Sequence, residues 1–234
     1  DRAIFASSLG ELYHRKGETA KMIEQYLNFL DVVPDRIDYI QTLFQRFLDA
    51  KGFQELQRQL YERVQANDSA THYPELLAWL FLQQKDYENA LRQLRALDRR
   101  LKENGARIYQ MAQIAANDGD YDPAIEAFDF IVAQKGVESP FYLDAKRSSL
   151  RYRRIKLIEG FSYTQADLRV LEEEYLSFLE ENGYNRNTAP LILELAGLEA
   201  YFLNNIEKAI TLLVQMIDFP GINPRKQAEA KLEL

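Results

Sequence analysis

The chain has 234 residues, of which 47% are hydrophobic, 12% aromatic and 28% charged, and these proportions are sufficient for a packed core and argue against disorder. With 29 Lys and Arg against 36 Asp and Glu, the formal net charge of -7 disfavours binding to a phosphate backbone. The absence of cysteine excludes disulfides, thiolate metal sites, cysteine nucleophiles and iron–sulfur clusters, and no apolar run reaches the roughly 20 residues of a membrane span.

An internal repeat organises the chain from its first residues. Glu18, Gly52, Asp86 and Asp120 mark polar turns that follow one another at a constant step of 34 residues. The predicted turns are Lys16-Gly17-Glu18-Thr19, Lys51-Gly52-Phe53, Lys85-Asp86-Tyr87 and Gly119-Asp120-Tyr121. On both sides of each turn, apolar side chains recur three and four positions apart, which is the spacing of one helix face. Each repeat is therefore predicted to be two amphipathic helices joined by a tight turn.

The repeats are expected to fill the chain in sequence. They span about residues 3–36, 37–70, 71–104 and 105–138, then an enlarged irregular hairpin at 139–184, a further repeat at 188–222 and a half-repeat at 223–234. We expect a single solenoid of about six helical hairpins plus the terminal half-repeat. Because the chain begins at Asp1 without a methionine and stops inside a helical pattern, we also expect it to be a fragment of a longer chain.

The enlarged hairpin and the end of the chain carry recognisable helix signals. Ser139-Pro140 is expected to begin a helix that Gly160 ends, and Thr164 with Asp167 predicts a capping box that opens the next helix. Pro220-Gly221 is expected to end the last full repeat. Pro224 stands at a first-turn position of one further helix, which has no partner helix in this sequence.

Small and aromatic residues at fixed places make the repeat resemble the tetratricopeptide repeat family. The matching residues are Leu9, Gly10, Tyr13, Tyr26 and Pro34 in the first repeat, and Leu77, Ala78, Phe81 and Ala90 in the third. A small residue lets the partner helix pack a large side chain against backbone. Met22, Phe44 and Arg63 depart from the pattern, because they stand where small residues are expected. The resemblance implies an all-α, right-handed α-α superhelix that binds other proteins.

The resemblance also implies a concave groove lined by the first helix of each repeat. The residues expected to contact a partner there are Glu11, Gln45, His72, Glu75, Trp79, Tyr109, Gln113 and Tyr201, and Glu194 and Phe202 occupy related positions. Trp79, the only tryptophan, is either an interface anchor or a residue packed against the next repeat. The family positions that grip a chaperone's terminal carboxylate hold other residue types here, which disfavours a chaperone-tail adaptor.

A run of cations marks the enlarged hairpin. Its members are Lys146, Arg147, Arg151, Arg153, Arg154 and Lys156, and we assign a basic patch to Lys146, Arg147, Arg151 and Arg154. Two interpretations stay open. The cations either pair with neighbouring acids such as Glu159 or Glu172–Glu174, or they form a docking patch for an acidic protein segment, an anionic lipid surface or nucleic acid.

Patterns for catalysis or cofactor binding are not found. His14 and His72 lack metal-ligand spacing, and we expect both to face solvent. No glycine-rich phosphate loop occurs, and carboxylate clusters such as Glu172–Glu174 are typical of solvated helix faces. We therefore predict that the chain is no enzyme and holds no cofactor and no metal.

The sequence as a whole favours a non-catalytic scaffold that binds another protein or a peptide segment in its groove. An alternative is a substrate-recruiting or regulatory arm of a larger enzyme or assembly. RNA binding is disfavoured by the neutral to acidic groove. Self-association through the apolar ends of a solenoid is a further alternative. Neither the partner nor the compartment can be identified from the sequence.

Overall fold

The computed structural model describes residues 2–67, 69–160, 163–218 and 221–233. Within these ranges the chain forms thirteen α-helices and two short 3-10 helices, without strands. It divides into two compact parts, which we name lobe 1 (Asp1–Ala115) and lobe 2 (Ala116–Leu234). The boundary between the lobes falls inside the predicted repeat 105–138. The repeat boundaries and the single solenoid stay predictions.

Lobe 1 is built from paired helices. It contains α1 (Arg2–Arg15), α2 (Thr19–Val32), α3 (Ile37–Phe47), α4 (Ala50–Ala66), α5 (His72–Gln83), α6 (Tyr87–Leu101) and most of α7 (Ala106–Asn117). Helices α1 and α2 pack against each other, as do α5 and α6. In α2 the buried side chains are Met22, Ile23, Tyr26, Leu27 and Leu30, which form the single apolar face that the sequence period predicts.

Gly10 permits the close approach of the first two helices. A Cβ atom added there would lie 2.8 Å from Cε1 of Tyr26, too close for any side chain without movement of the ring. The predicted role of a small residue at this position is confirmed. Phe44, by contrast, is fully buried where a small residue was expected, and its ring meets that of Tyr26 edge-on at 6.0 Å.

The second predicted turn is wrong. Lys51-Gly52-Phe53 lies inside α4, which begins at Ala50. Asp49 explains the early start, because its Oδ1 accepts a hydrogen bond from the backbone N–H of Gly52 at 2.8 Å. A carboxylate at this position satisfies a donor that would otherwise be free at the helix start. The other three predicted turns lie between consecutive helices.

Lobe 2 contains the enlarged hairpin and the last repeat. Its helices are α8 (Tyr121–Lys135), α9 (Tyr142–Glu159), α10 (Gln165–Asn182), α11 (Ala189–Tyr201), α12 (Ile206–Asp218) and α13 (Pro224–Glu233). The capping box of Thr164 and Asp167 is confirmed, and Pro224 is the first residue of α13 as predicted. Helix α9 begins after Ser139-Pro140, because a 3-10 turn at Gly136–Glu138 precedes it. The predicted stop at Pro220 lies outside the described residues.

Helix α11 occupies the centre of lobe 2. It packs against α12 and also contacts α9, α10 and α13. Its buried side chains include Leu191, Ile192, Leu195 and Leu198, which join Tyr175 and Phe178 of α10 in one core. The all-α class is confirmed in the described residues, and several consecutive helices pack against each other within each lobe. In the described ranges, every helix is too short or too polar to cross a membrane.

Candidate functional site

The residues predicted to line a groove are divided between the lobes. Tyr201 lies on α11 of lobe 2, and the others lie on α1, α3, α5 and α7 of lobe 1. In lobe 1, Glu11, Gln45 and Gln113 are exposed. Glu11 pairs with Arg15 of its own helix. Gln45 contacts another helix: its Nε2 donates to Oε1 of Gln83 at 3.4 Å, which links α3 to α5.

The aromatic members of the lobe 1 set are half-buried. The ring of Trp79 lies 6.3 Å from that of Phe53 at an angle of 47°, so the side chain packs against the preceding hairpin. Tyr109 is also half-buried. Glu75 forms an ion pair with Arg107 of α7 at 2.7 Å. Much of this surface is therefore occupied by contacts between helices.

His72 differs from the expected solvent-facing residue. Its side chain is only 12% exposed, and Nε2 lies 3.5 Å from Oδ1 of Asp31. Its ring also packs against Tyr73, with centroids 4.1 Å apart. Burial lowers the pKa of His72, although the neighbouring Asp31 carboxylate opposes that shift. The residue belongs to a contact between helices α2 and α5.

Arg63 organises that contact. Its Nη1 donates to Oδ2 of Asp31 at 2.9 Å and to the hydroxyl of Tyr73 at 2.8 Å, and Nη2 donates to Oδ1 of Asn28 at 2.6 Å. The hydroxyl of Tyr73 in turn donates to Oδ1 of Asp31. Helices α2, α4 and α5 are joined by this one guanidinium, which explains an arginine where the repeat pattern expects a small residue.

Most cations of the predicted basic run pair with acids, and three of them pair with acids of neighbouring helices. The ion pairs are Lys146 with Glu181, Arg147 with Asp144 at 2.8 Å, Arg153 with Asp129 at 2.6 Å and Glu174 at 3.0 Å, and Lys156 with Asp122. Of the acids that the sequence suggested as partners, only Glu174 is among these. The pairing reduces the positive potential of this side of α9.

Two arginines of the run lie farther from their nearest carboxylate than the others do. Nε of Arg151 lies 3.8 Å from Glu194, and Nε of Arg154 lies 3.7 Å from the same carboxylate, both beyond hydrogen-bond distance. Nε of Arg154 is buried and makes no hydrogen bond within the described part of the chain. Glu194 instead accepts a hydrogen bond from the hydroxyl of Tyr175 at 2.9 Å. This contact holds the carboxylate in place, and burial is the main cause of the raised pKa of Tyr175.

These two arginines border a cavity of about 630 Å³ in lobe 2, which we name the α11 groove. The groove lies where α11 meets α9, α12 and α13. Its apolar surface comes from Leu193, Gly197, Ala200, Phe202, Ile206, Ile210 and Leu213. Its charged borders are Arg151, Arg154 and Glu194 on one side and Lys226, Glu229 and Glu233 of α13 on the other. Tyr201 also lines it. The groove thus contains Glu194, Tyr201 and Phe202 from the predicted groove positions and half of the predicted basic patch.

Gly197 keeps the groove open. A Cβ atom added there would have its nearest neighbour, Cδ2 of Tyr201, at 3.9 Å, an ordinary contact distance. Unlike Gly10, this glycine is not required by helix packing, and its missing side chain leaves space above α11. Two large apolar side chains beside that space face solvent, because Ile206 is 57% and Ile210 44% exposed. Exposed isoleucines around a cavity are typical of a surface that a partner covers.

The two borders of the groove differ in charge. The α9 side has two arginines against Glu194. The α13 side has Lys226 against Glu229 and Glu233, and Lys226 is paired with Glu229 at 2.5 Å. Tyr201, which is 71% exposed, donates its hydroxyl to Glu233 at 3.0 Å, and this hydrogen bond raises the pKa of Tyr201. The formal charge is therefore one positive on the α9 side and one negative on the α13 side.

Behind the groove, α11 carries a buried carboxylate that the sequence analysis did not identify. The side chain of Glu199 is fully buried, and its Oε1 lies 2.7 Å from Nζ of Lys208 on α12. Lys208 also pairs with Glu172 of α10, and Arg169 pairs with Glu172 at 2.6 Å. The run Glu172–Glu174 was expected to be solvated, but Glu172 points into this cluster. In the described residues, no group of three or more acids and histidines could hold a metal ion.

Comparisons with known proteins find similar folds at low identity. No protein-family model matches the chain, and no curated protein matches it. Among solved structures, repeats of a putative kinesin light chain from Podosopora anserina have 14% identity and a TM-score of 0.43, covering 99% of this chain and 98% of that one. YrrB, described as a TPR protein with an unusual peptide-binding site, has 16% identity and a TM-score of 0.42, with coverage of 97% and 99%. PilF of Pseudomonas aeruginosa has 13% identity and a TM-score of 0.39, with coverage of 100% and 98%. These identities and TM-scores do not identify a function for the chain.

Proposed function

We propose that this chain is a non-catalytic scaffold that binds a segment of another protein, and that the α11 groove is its binding site. The observation that carries the proposal is the combination of an open cavity, exposed isoleucines and charged borders in one place. Interfaces typically have an apolar centre surrounded by polar groups, and the α11 groove has this arrangement. Its volume of about 630 Å³ accommodates a few side chains of a peptide.

The surface predicted in lobe 1 is the second place where a partner segment could bind. Its aromatic residues Trp79 and Tyr109 are half-buried, and Glu75 is already paired with Arg107. The α11 groove is the better candidate, because Ile206 and Ile210 line it while 57% and 44% of their surface stays exposed. The two surfaces lie in different lobes, so one experiment can separate them.

Substitutions at Gly197 test the groove directly. Peptides are selected from a displayed random library on the immobilised wild-type chain, and their affinities are measured by fluorescence anisotropy. A Gly197→Leu side chain would fill the space above α11, and we expect it to weaken the selected peptides by about tenfold or more. Gly197→Ala is the matched control, since its Cβ fits at ordinary contact distance, and we expect wild-type affinity.

The other outcomes identify a wrong site or a wrong function. If Trp79→Ala and Tyr109→Ala abolish binding while Gly197→Leu does not, the partner segment binds to lobe 1 and the α11 groove is the wrong site. If no peptide is enriched over a blank surface, the chain does not bind peptide segments. Circular dichroism of each variant establishes that the helices are retained.

A further inference from the structure

The unequal borders of the α11 groove specify the chemistry of its partner. Resting on the proposed function, we infer that the bound segment carries an aspartate or glutamate, whose carboxylate binds Arg151 and Arg154, beside an apolar side chain that lies over Gly197. The partner is thus an acidic and apolar segment of another protein.

Both guanidinium groups retain hydrogen-bond donors, although Arg154 also interacts with the hydroxyl of Tyr175. An arginine has five N–H donors, and a single carboxylate cannot satisfy two arginines. Glu194 lies 3.8 Å from Arg151 and 3.7 Å from Arg154, and one of its oxygens already accepts from Tyr175. A second carboxylate in the groove would provide the short hydrogen bonds that Glu194 does not. Arginine binds carboxylates in a bidentate, charge-assisted geometry that is stronger than a neutral hydrogen bond.

Both side chains can be reached from the groove, although Nε of Arg154 is itself buried. The side chain of Arg151 is 59% exposed, and that of Arg154 is 26% exposed, so one is a surface group and the other is half-buried. Both side chains line the same cavity as Gly197. A ligand carboxylate there would be partly removed from water, where a charge-assisted hydrogen bond is worth more than at a free surface.

The charged residues on the two sides of the groove favour a single position for the acidic group of the bound segment. Across the groove, Lys226 is neutralised by Glu229, and Glu233 leaves that side negative. A carboxylate at the α13 side would meet like charge, whereas at the α9 side it meets two arginines against one acid. Because charge complementarity selects partners and fixes their register, the segment should bind in one orientation.

Matched peptides and matched variants test the inference. A peptide that binds through the groove is compared with a copy in which its acidic residue is replaced by the amide. We expect the amide peptide to bind the wild-type chain about tenfold more weakly. Arg151→Gln and Arg154→Gln should each weaken the acidic peptide and leave the amide peptide nearly unchanged. Arg147→Gln is the control on the same helix, because Arg147 donates to Asp144 and to the backbone oxygen of Asn187.

The outcomes separate this inference from the proposed function. If acidic and amide peptides bind the wild-type chain equally while Gly197→Leu abolishes both, the inference is overturned and the proposed function stands. An acid preference that survives both Arg151→Gln and Arg154→Gln also overturns it. If binding does not depend on Gly197 at all, both the inference and the assignment of the α11 groove as the binding site are wrong. Arg151→Gln alone keeps the test valid if the half-buried Arg154 is needed for folding.

Discussion

Nζ of Lys208 lies 2.7 Å from Oε1 of Glu199, a carboxylate with no exposed side-chain surface. The same ammonium group contacts Glu172, whose side chain is 9% exposed. One lysine therefore compensates two buried acids from different helices, and Arg169 assists from the surface. A buried carboxylate without a cation is costly, so the stability of lobe 2 should depend on Lys208.

Lys208→Met should destabilise the protein strongly. The methionine keeps most of the side-chain volume but leaves Glu172 and Glu199 without their shared cation, and we expect a loss of about 3 kcal/mol in the free energy of unfolding. Urea unfolding followed by circular dichroism measures it. The double variant Lys208→Met with Glu199→Gln should recover part of the loss. Equal stability of the single and double variants would show that Glu199 does not depend on Lys208.

Glu199→Gln should change how stability depends on pH. Burial is the largest cause of the raised pKa of Glu199, whose ordinary value is 4.5. A raised folded-state pKa stabilises the protein fully below the unfolded value, and that contribution is lost as pH rises through the folded pKa. The amide cannot ionise, so the stability of Glu199→Gln relative to wild type should increase as pH rises above about 4.5.

Glu172, the neighbouring acid, should ionise below the pH range of that series. Burial acts to raise its pKa, but hydrogen bonds to Lys208, Glu199 and Arg169 outweigh burial and lower the pKa to about 2. Its contribution is therefore present above the ordinary value of 4.5 and is lost only as pH falls towards 2. Above pH 4.5 it should stay constant. Urea midpoints measured across this range would contradict the prediction if the difference between Glu199→Gln and wild type were flat.

Alanine at two of the helical glycines, Gly10 and Gly197, should have opposite effects. At Gly10 the new methyl group would overlap the Tyr26 ring at 2.8 Å, and we expect a loss of about 2 kcal/mol. At Gly197 no atom is nearer than 3.9 Å, so the gain in helix propensity should stabilise the protein by about 0.5 to 1 kcal/mol. Thermal unfolding of the two variants compares them directly, and changes of the same sign would contradict the packing described for α1 and α2.

Arg63 and Tyr73 should be energetically coupled. Tyr73→Phe removes a hydroxyl that donates to Asp31 and accepts from Arg63, and should cost about 1 kcal/mol. Arg63→Met removes the hydrogen bonds to Asp31, Asn28 and Tyr73, and should cost about 3 kcal/mol. The double variant should lose less than the sum of the two. Additive losses in this cycle would show that the arginine acts through packing alone.

Much of the fold could be predicted from the sequence, because each repeat places its apolar residues on one helix face and its turn residues between helices. Gly10 illustrates the success, since a residue without Cβ at a fixed position of the repeat indicates a close contact between helices. The start of α4 illustrates the limit. Gly52 aligned with true turns, but Asp49 caps the helix three residues earlier, and a local hydrogen bond decided the boundary.

The candidate site was predictable only in parts. Tyr201 and the pair Arg151 and Arg154 were identified separately, as a repeat position and as part of a charge run. Sequence spacing cannot show that α9 and α11 are neighbours, so nothing indicated that these residues border one cavity. Nor could it show which cations of the run would be satisfied, because Asp122, Asp129 and Glu181 belong to other helices.

The hydrogen bond between Tyr73 and Asp31 has a consequence for how lobe 1 unfolds. In repeat proteins each hairpin usually touches only its immediate neighbours, so hairpins can detach one at a time from an end. Here a residue of α5 is bonded directly to a residue of α2, although α3 and α4 lie between them in the chain. Removing the first hairpin therefore disturbs the third as well as the second. Under a stretching force, the helices from α1 to α6 should therefore unfold together in a single step rather than one hairpin after another.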